Sequence, residues 1–205
     1  MIRMRAVRWV TTAAVLLAAC AALAAQGGSA HADARSLQQK LIAIVTRGDL
    51  PAAASPLPIQ RTTLTEREVN AYFQVYGPEF LPEGVREPRI SIGQGGRVTA
   101  RAVVDLDAAF KPTERSWLDP LAWVSGRVEL SSTGILRTAN GKGVLTIESA
   151  TLNGVSVPVS VLQEVVSYYS RTPESPAGFR LGEPFDLPSS IKAVETMPGR
   201  AIVVQ

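Results

Sequence analysis

The sequence predicts an α+β domain: a twisted, curved antiparallel sheet with helices packed on one face. Three observations predict it. Apolar residues recur at helical spacing in separate stretches near residues 35–47, 65–76 and 158–169. From residue 87 the period changes to alternation of apolar and polar residues, the habit of a strand with one wet face and therefore of an antiparallel sheet. The pairs Asn140-Gly141 and Asn153-Gly154, the favoured two-residue hairpin turns, punctuate the alternating part.

The chain opens on Arg3, Arg5 and Arg8, then an uncharged Ala/Leu/Val-rich run from Trp9 to Ala25, then small and polar residues ending in Ala30-His31-Ala32. This is the three-part layout of a secretory signal with an A-x-A cleavage site. The apolar run falls short of the roughly 20 residues that span a bilayer. The expected organisation is a signal over residues 1–32, an N-terminal helix and Pro-containing linker over 33–62, and an α+β domain over 63–205. Leu17-Ala18-Ala19-Cys20 offers a second cleavage reading, because it resembles the lipobox of exported lipoproteins. The residues after Cys20 continue the apolar run instead of forming a polar tether, which favours release after Ala32 into the periplasm or the extracellular space.

In the 35–47 helix, Leu37, Leu41, Ile44 and Val45 fall on one face. Gly48, Pro51, Pro56 and Pro58 break it. The next helix carries a capping box: Thr65 accepts from the amide of Glu68, whose carboxylate reaches back to the cap. Val69, Tyr72, Phe73 and Tyr76 form its apolar face, and Gly77-Pro78 ends it. Ile90 and Ile92 alternate with Arg89 and Ser91 before the turn at Gly93–Gly96. Val98, Ala100, Ala102, Val104 and Leu106 then share one strand face, with Thr99, Arg101, Asp105 and Asp107 on the other. Trp117, Leu118, Leu121 and Trp123 crowd an irregular connection, where they plug one end of the core or form an apolar contact surface. A long hairpin follows, with a bulge expected at Ser132-Thr133-Gly134. Pro158 suits a helix start, and Leu162, Val165, Val166 and Tyr169 form that helix's apolar face. Phe185 and Leu187 return to the core. The turn Met197-Pro198-Gly199-Arg200 suits type II and leads into a last strand, Ala201 to Val204.

Composition excludes much chemistry. His31 and Cys20 are the only histidine and cysteine, and both lie ahead of the expected cut. The remainder can build no Ser-His-Asp triad, thiol nucleophile or histidine metal site. The formal charge of +3 resides in the three signal arginines, so the rest is neutral and nucleic-acid binding is not expected. Asp105 and Asp107 share one strand face, which does not set two carboxylates across a cleft. No enzyme activity, cofactor or metal site is expected.

The segment Leu64-Thr65-Glu66-Arg67-Glu68-Val69-Asn70-Ala71-Tyr72 resembles the helix start of small exported domains of the tubular lipid-binding (TULIP-like) superfamily. Asn153-Gly154-Val155-Ser156-Val157-Pro158 before an apolar helix, and Leu187-Pro188-Ser189-Ser190-Ile191 before a terminal hairpin, agree with it. The resemblance covers most of residues 60–205 through short motifs. It implies a sheet wrapped around helices, with an apolar groove for a lipid or other apolar ligand. The side chains expected to line such a groove are Tyr72, Phe73, Val98, Ala100, Ala102, Val104, Trp117, Trp123, Leu162 and Val166. The other function class is a structural or assembly-accessory protein of the cell envelope, docking on a protein partner through an apolar surface such as Trp117–Trp123.

Intact-mass measurement of the protein isolated from its own envelope is expected to give a chain beginning at Asp33. An acylated N-terminus at Cys20 would contradict cleavage after Ala32.

Overall fold

A computed structural model of the chain describes residues 28–50, 58–105, 108, 126–171, 173 and 175–205. Helix α1 covers residues 28–48. Strand β1 (Arg61–Thr65) runs directly into α2 (Glu66–Tyr76), which a short 3-10 turn (Gly77–Glu79) closes. Strands β2 (Val85–Ile92), β3 (Arg97–Asp105), β4 (Arg127–Ala139), β5 (Lys142–Leu152) and β6 (Val155–Ser156) follow. Helix α3 (Val159–Tyr169) precedes β7 (Pro184–Asp186), β8 (Ala193–Met197) and β9 (Arg200–Val204). The α+β class holds, with a large antiparallel sheet that does not close and helices packed against it.

The large sheet has six strands, in the order β2-β3-β4-β5-β6, with β7 also on β5. The outer edge of β5 is shared: Lys142–Val144 pair with β7, and Thr151–Leu152 pair with β6. Two expected turns sit where the residues placed them, and the expected bulge is found at the same level of the sheet but on the facing strand. The β4–β5 register shifts between Thr133 and Gly134, and the extra residue is Glu148 of β5. Asn140 and Asn153 take φ 51° and 48°, each followed by a left-handed glycine, as type I′ turns require. Gly143 serves a different need, because the Phe185 ring lies 2.6 Å from where its Cβ would be.

Alternation does not reveal the second sheet, which has three strands in the order β1-β9-β8. Its first strand begins at Arg61, inside the stretch read as linker, and pairs with the last strand of the chain (Arg61 with Val204, Thr65 with Arg200). The apolar face of α1 also differs from expectation. Ala34, Leu37 and Ile44 are buried, while Val45 is exposed, because α1 extends about two turns earlier and packs through the 34–37–44 stripe.

Three hydrogen bonds of 2.8 Å join the sheets in a ring. The Glu66 amide donates to Gly199 O, the Gly199 amide to Ile92 O, and the Ile92 amide to the Glu66 carboxylate. One turn further along α2, the Asn70 side chain bonds both backbone groups of Ile90, donating to its carbonyl (2.8 Å) and accepting from its amide (2.7 Å). The side chains of α2 thus take the outward-facing backbone groups of β2 as another strand would, and close an edge that otherwise invites pairing with other chains. At the hairpin tip of the large sheet, the Thr138 hydroxyl bonds both Val194 O (2.9 Å) and Val194 N (2.7 Å) of β8.

Glu68 ties α1 to this assembly. It is 6 % exposed. One carboxylate oxygen accepts from Ser36 (2.5 Å) and Lys40 (2.7 Å) of α1, the other from Lys40 (2.8 Å) and from the Thr65 amide and hydroxyl (both 2.9 Å). Burial alone would raise its pKa. The hydrogen bonds from Lys40, Ser36 and Thr65 outweigh that and lower it from 4.5 to about 2. At the other end of α1, the buried Gln205 amide donates to Ile44 O (2.9 Å) and Ser189 O (2.7 Å).

Two predictions follow from these polar junctions. The folded pKa of Glu68 lies below its unfolded value, so its contribution is complete above about pH 4.5 and is lost as pH falls toward 2. That contribution is up to about 3 kcal/mol at roughly 1.4 kcal/mol per unit. Glu68→Gln should remove most of it at neutral pH and flatten the acid limb, as read by urea unfolding at pH 7 and pH 3. Asn70→Leu should cost about 2 kcal/mol, because it strands two half-buried backbone groups of Ile90. A loss below about 0.5 kcal/mol would mean that the β2 edge does not depend on Asn70.

Candidate apolar binding face

Strand register places Val98, Ala100, Ala102 and Val104 on one face of the large sheet. They stand opposite Gly134, Ser132, Leu130 and Val128 of β4, and Val98, Ala100 and Val104 also stand opposite Ile92, Ile90 and Val85 of β2. Leu130 and Ser132 lie opposite Leu152 and Ala150 of β5. Ile92, Val128 and Ala150, the buried hydrophobic side chains of the described part of this sheet, all lie on this face. The other face carries Arg97, Arg101, Arg127, Glu129 and Glu148, all exposed. The expected division into an apolar and a wet face holds for Val98, Ala100, Ala102 and Val104 against Thr99, Arg101 and Asp105, while Val103 and Ile135 are apolar residues on the wet face.

The helices sit at the margins of the apolar face. Helix α2 packs chiefly on β2 and α3 chiefly on β5. The strip between them, on β3 and β4, is only half covered. Val98, Ala100, Ala102, Val104 and Leu130 are all partly exposed, and among the described residues no large side chain is completely sealed from solvent. The side chains are small at Ala100, Ala102 and Ser132 and larger at Val104 and Leu130.

The expected lining residues divide into three groups. The strand residues Val98, Ala100, Ala102 and Val104 are together on the strip. Leu162 and Val166 are on α3 at the β5 margin, with Leu162 buried and Val166 half-buried. Tyr72 and Phe73 are on α2, where they gather around Phe80 with ring centroids 5.8 and 5.9 Å away, and Tyr72 also meets Tyr76 at 5.2 Å. Phe80 itself is 50 % exposed, so this cluster is a half-open aromatic margin and not a sealed core. Trp117, Trp123, Leu106, Asp107, Cys20 and the side chain of Tyr169 lie outside the described residues. Ile90, Leu130 and Leu152 belong to the floor and were missing from the expected lining; their own alternation signals them once the strands are registered.

The chemistry of the strip is that of shape and apolar contact. Asp105 is held at the wet side by Arg127 (3.7 Å) and accepts from the Ala108 amide (3.3 Å). Among the described residues no cluster of three or more His, Cys, Asp or Glu is placed to hold a metal, and no helix is long and apolar enough to cross a membrane.

Neither known protein families nor curated proteins match the chain. Among solved structures it is similar to a lipopolysaccharide binding protein, at 15 % sequence identity and a TM-score of 0.21. That match covers 77 % of this chain and 45 % of the other, so the chain spans less than half the length of that protein.

Proposed function

We propose that this is an exported, non-catalytic protein that binds a lipid or another apolar molecule along the half-covered face of the six-stranded sheet, between α2 and α3. One observation carries the reading: both edges of the sheet are occupied, yet among the described residues the middle of its apolar face is only half covered. Helix α2 and the Gly199 turn take the β2 edge, and β6 and β7 take the β5 edge. An apolar strip bounded in this way suits an alkyl chain, whose burial contributes about 0.8 kcal/mol per methylene. Orientation comes from the aromatic margin at Tyr72, Phe73 and Phe80. No cofactor enters this reading.

A second reading rests on a separate observation. Phe80, and Val155 at 70 % exposure, flank the end of the sheet where β2 begins and β5 ends. Exposed apolar groups so placed suit an envelope protein partner. Native mass spectrometry of the protein from its own envelope separates the two: retained lipid supports the carrier, a bound protein without lipid supports docking.

Ala102→Trp tests the first reading, because it fills the room left over the small side chains of the floor. A fluorescent fatty acid should bind wild type saturably and lose at least tenfold in affinity to the variant, with little change in melting temperature. Absence of saturable binding to wild type, together with destabilisation of the variant by about 1–3 kcal/mol through overpacking, would sink it.

A further inference from the structure

The wet face of the same sheet holds a feature that linear spacing conceals. Arg89 of β2 stands directly opposite Arg101 of β3. Directly opposed side chains have Cβ atoms about 5 Å apart, and like charges so placed destabilise a sheet. Both residues are exposed. The β2–β3 register shifts between Arg86 and Arg89, so that Arg86 pairs with Val103, two residues from Arg101 and on its face. In a regular strand residues three apart point to opposite faces. Here the bulge, with Glu87 in the left-handed region at φ 50°, brings Arg86 round to the side of Arg89 and Arg101.

Two other wet-face arginines are neutralised, Arg97 by Glu148 at 2.5 Å and Arg127 by Asp105 at 3.7 Å. Among the described residues Arg86, Arg89 and Arg101 form no ion pair, and neither does Glu87 in the bulge. The hydroxyl of Ser131, opposite Arg101 on β4, adds a neutral donor beside them.

We propose that Arg86, Arg89 and Arg101 form a binding site for a phosphate-bearing anion. Guanidinium groups offer paired donors that match phosphate oxygens, and an anion between Arg89 and Arg101 offsets their mutual repulsion. The site is on the face opposite the apolar strip and stands or falls separately from it. The phosphate comes from a soluble ester or from a lipid headgroup.

Calorimetric titration of the full chain with inorganic pyrophosphate at low salt, beside flotation with phosphatidylglycerol and phosphatidylcholine vesicles, tests the proposal. Wild type should bind one of the two anionic probes saturably. Arg89→Gln with Arg101→Gln should weaken that binding at least tenfold and melt no lower than wild type without anion, because the like-charge pair is gone. Arg137→Gln, an exposed arginine further along the wet face, should bind as wild type does. Pyrophosphate binding assigns a soluble phosphate, and capture by phosphatidylglycerol vesicles alone assigns a headgroup. No saturable binding of either probe, or equal loss in Arg137→Gln, overturns the site. A fatty-acid probe should bind the double variant unchanged, which separates failure here from failure of the apolar reading.

Discussion

The two sheets are joined by the ring of hydrogen bonds through Glu66, Gly199 and Ile92, and the exposed surface of the molecule follows from that junction. An edge strand presents a row of unpaired amides and carbonyls, and burying them unpaired is costly. Here the row on β2 is met by one carboxylate, one carboxamide and one turn peptide, all fixed by the start of α2 and by the terminal hairpin. Helix α2 cannot shift along the sheet without breaking bonds at both Ile90 and Ile92. Its aromatic residues are therefore held at the margin of the apolar face instead of lying over its middle.

The capping box does more than begin a helix. Glu68 completes the reciprocal bonds with Thr65, and the same carboxylate receives Ser36 and Lys40 from α1. A buried carboxylate is tolerable only when its oxygens are satisfied, and four donor groups satisfy this one. Close by, Asp33 pairs with Arg67 at 2.9 Å and Ala34 is fully buried, whereas residues 28–32 are mostly exposed.

Legibility in the sequence tracked the range of the interaction. The capping box, both Asn-Gly turns and the face of Val98–Val104 depend on a few neighbouring residues, and each is readable, whereas the bulge expected at Gly134 is on the strand facing it, at Glu148. Strand β1 was not, because Arg61–Thr65 is too short to show a period and its partner is the far end of the chain. The exposure of Val45 is not encoded in residues 35–47, because Ala34, which sets the buried stripe of α1, precedes them. Arg86, Arg89 and Arg101 gave no basic run, since register and a bulge bring them together. The apolar floor was only partly legible: β3 announced itself, but Ile90, Leu130 and Leu152 join it through pairing that no single segment encodes.

The central claim is that the middle of the apolar face, bounded by closed edges, receives an apolar chain. A photoactivatable fatty acid, cross-linked to the protein and mapped by peptide mass spectrometry, tests it most directly. The account predicts adducts concentrated in residues 98–104 and 128–132, with a smaller share on α2 near Tyr72 and on α3 near Leu162. Adducts confined to the exposed side of α1, or spread evenly over the wet face at Arg97–Glu148, would contradict it.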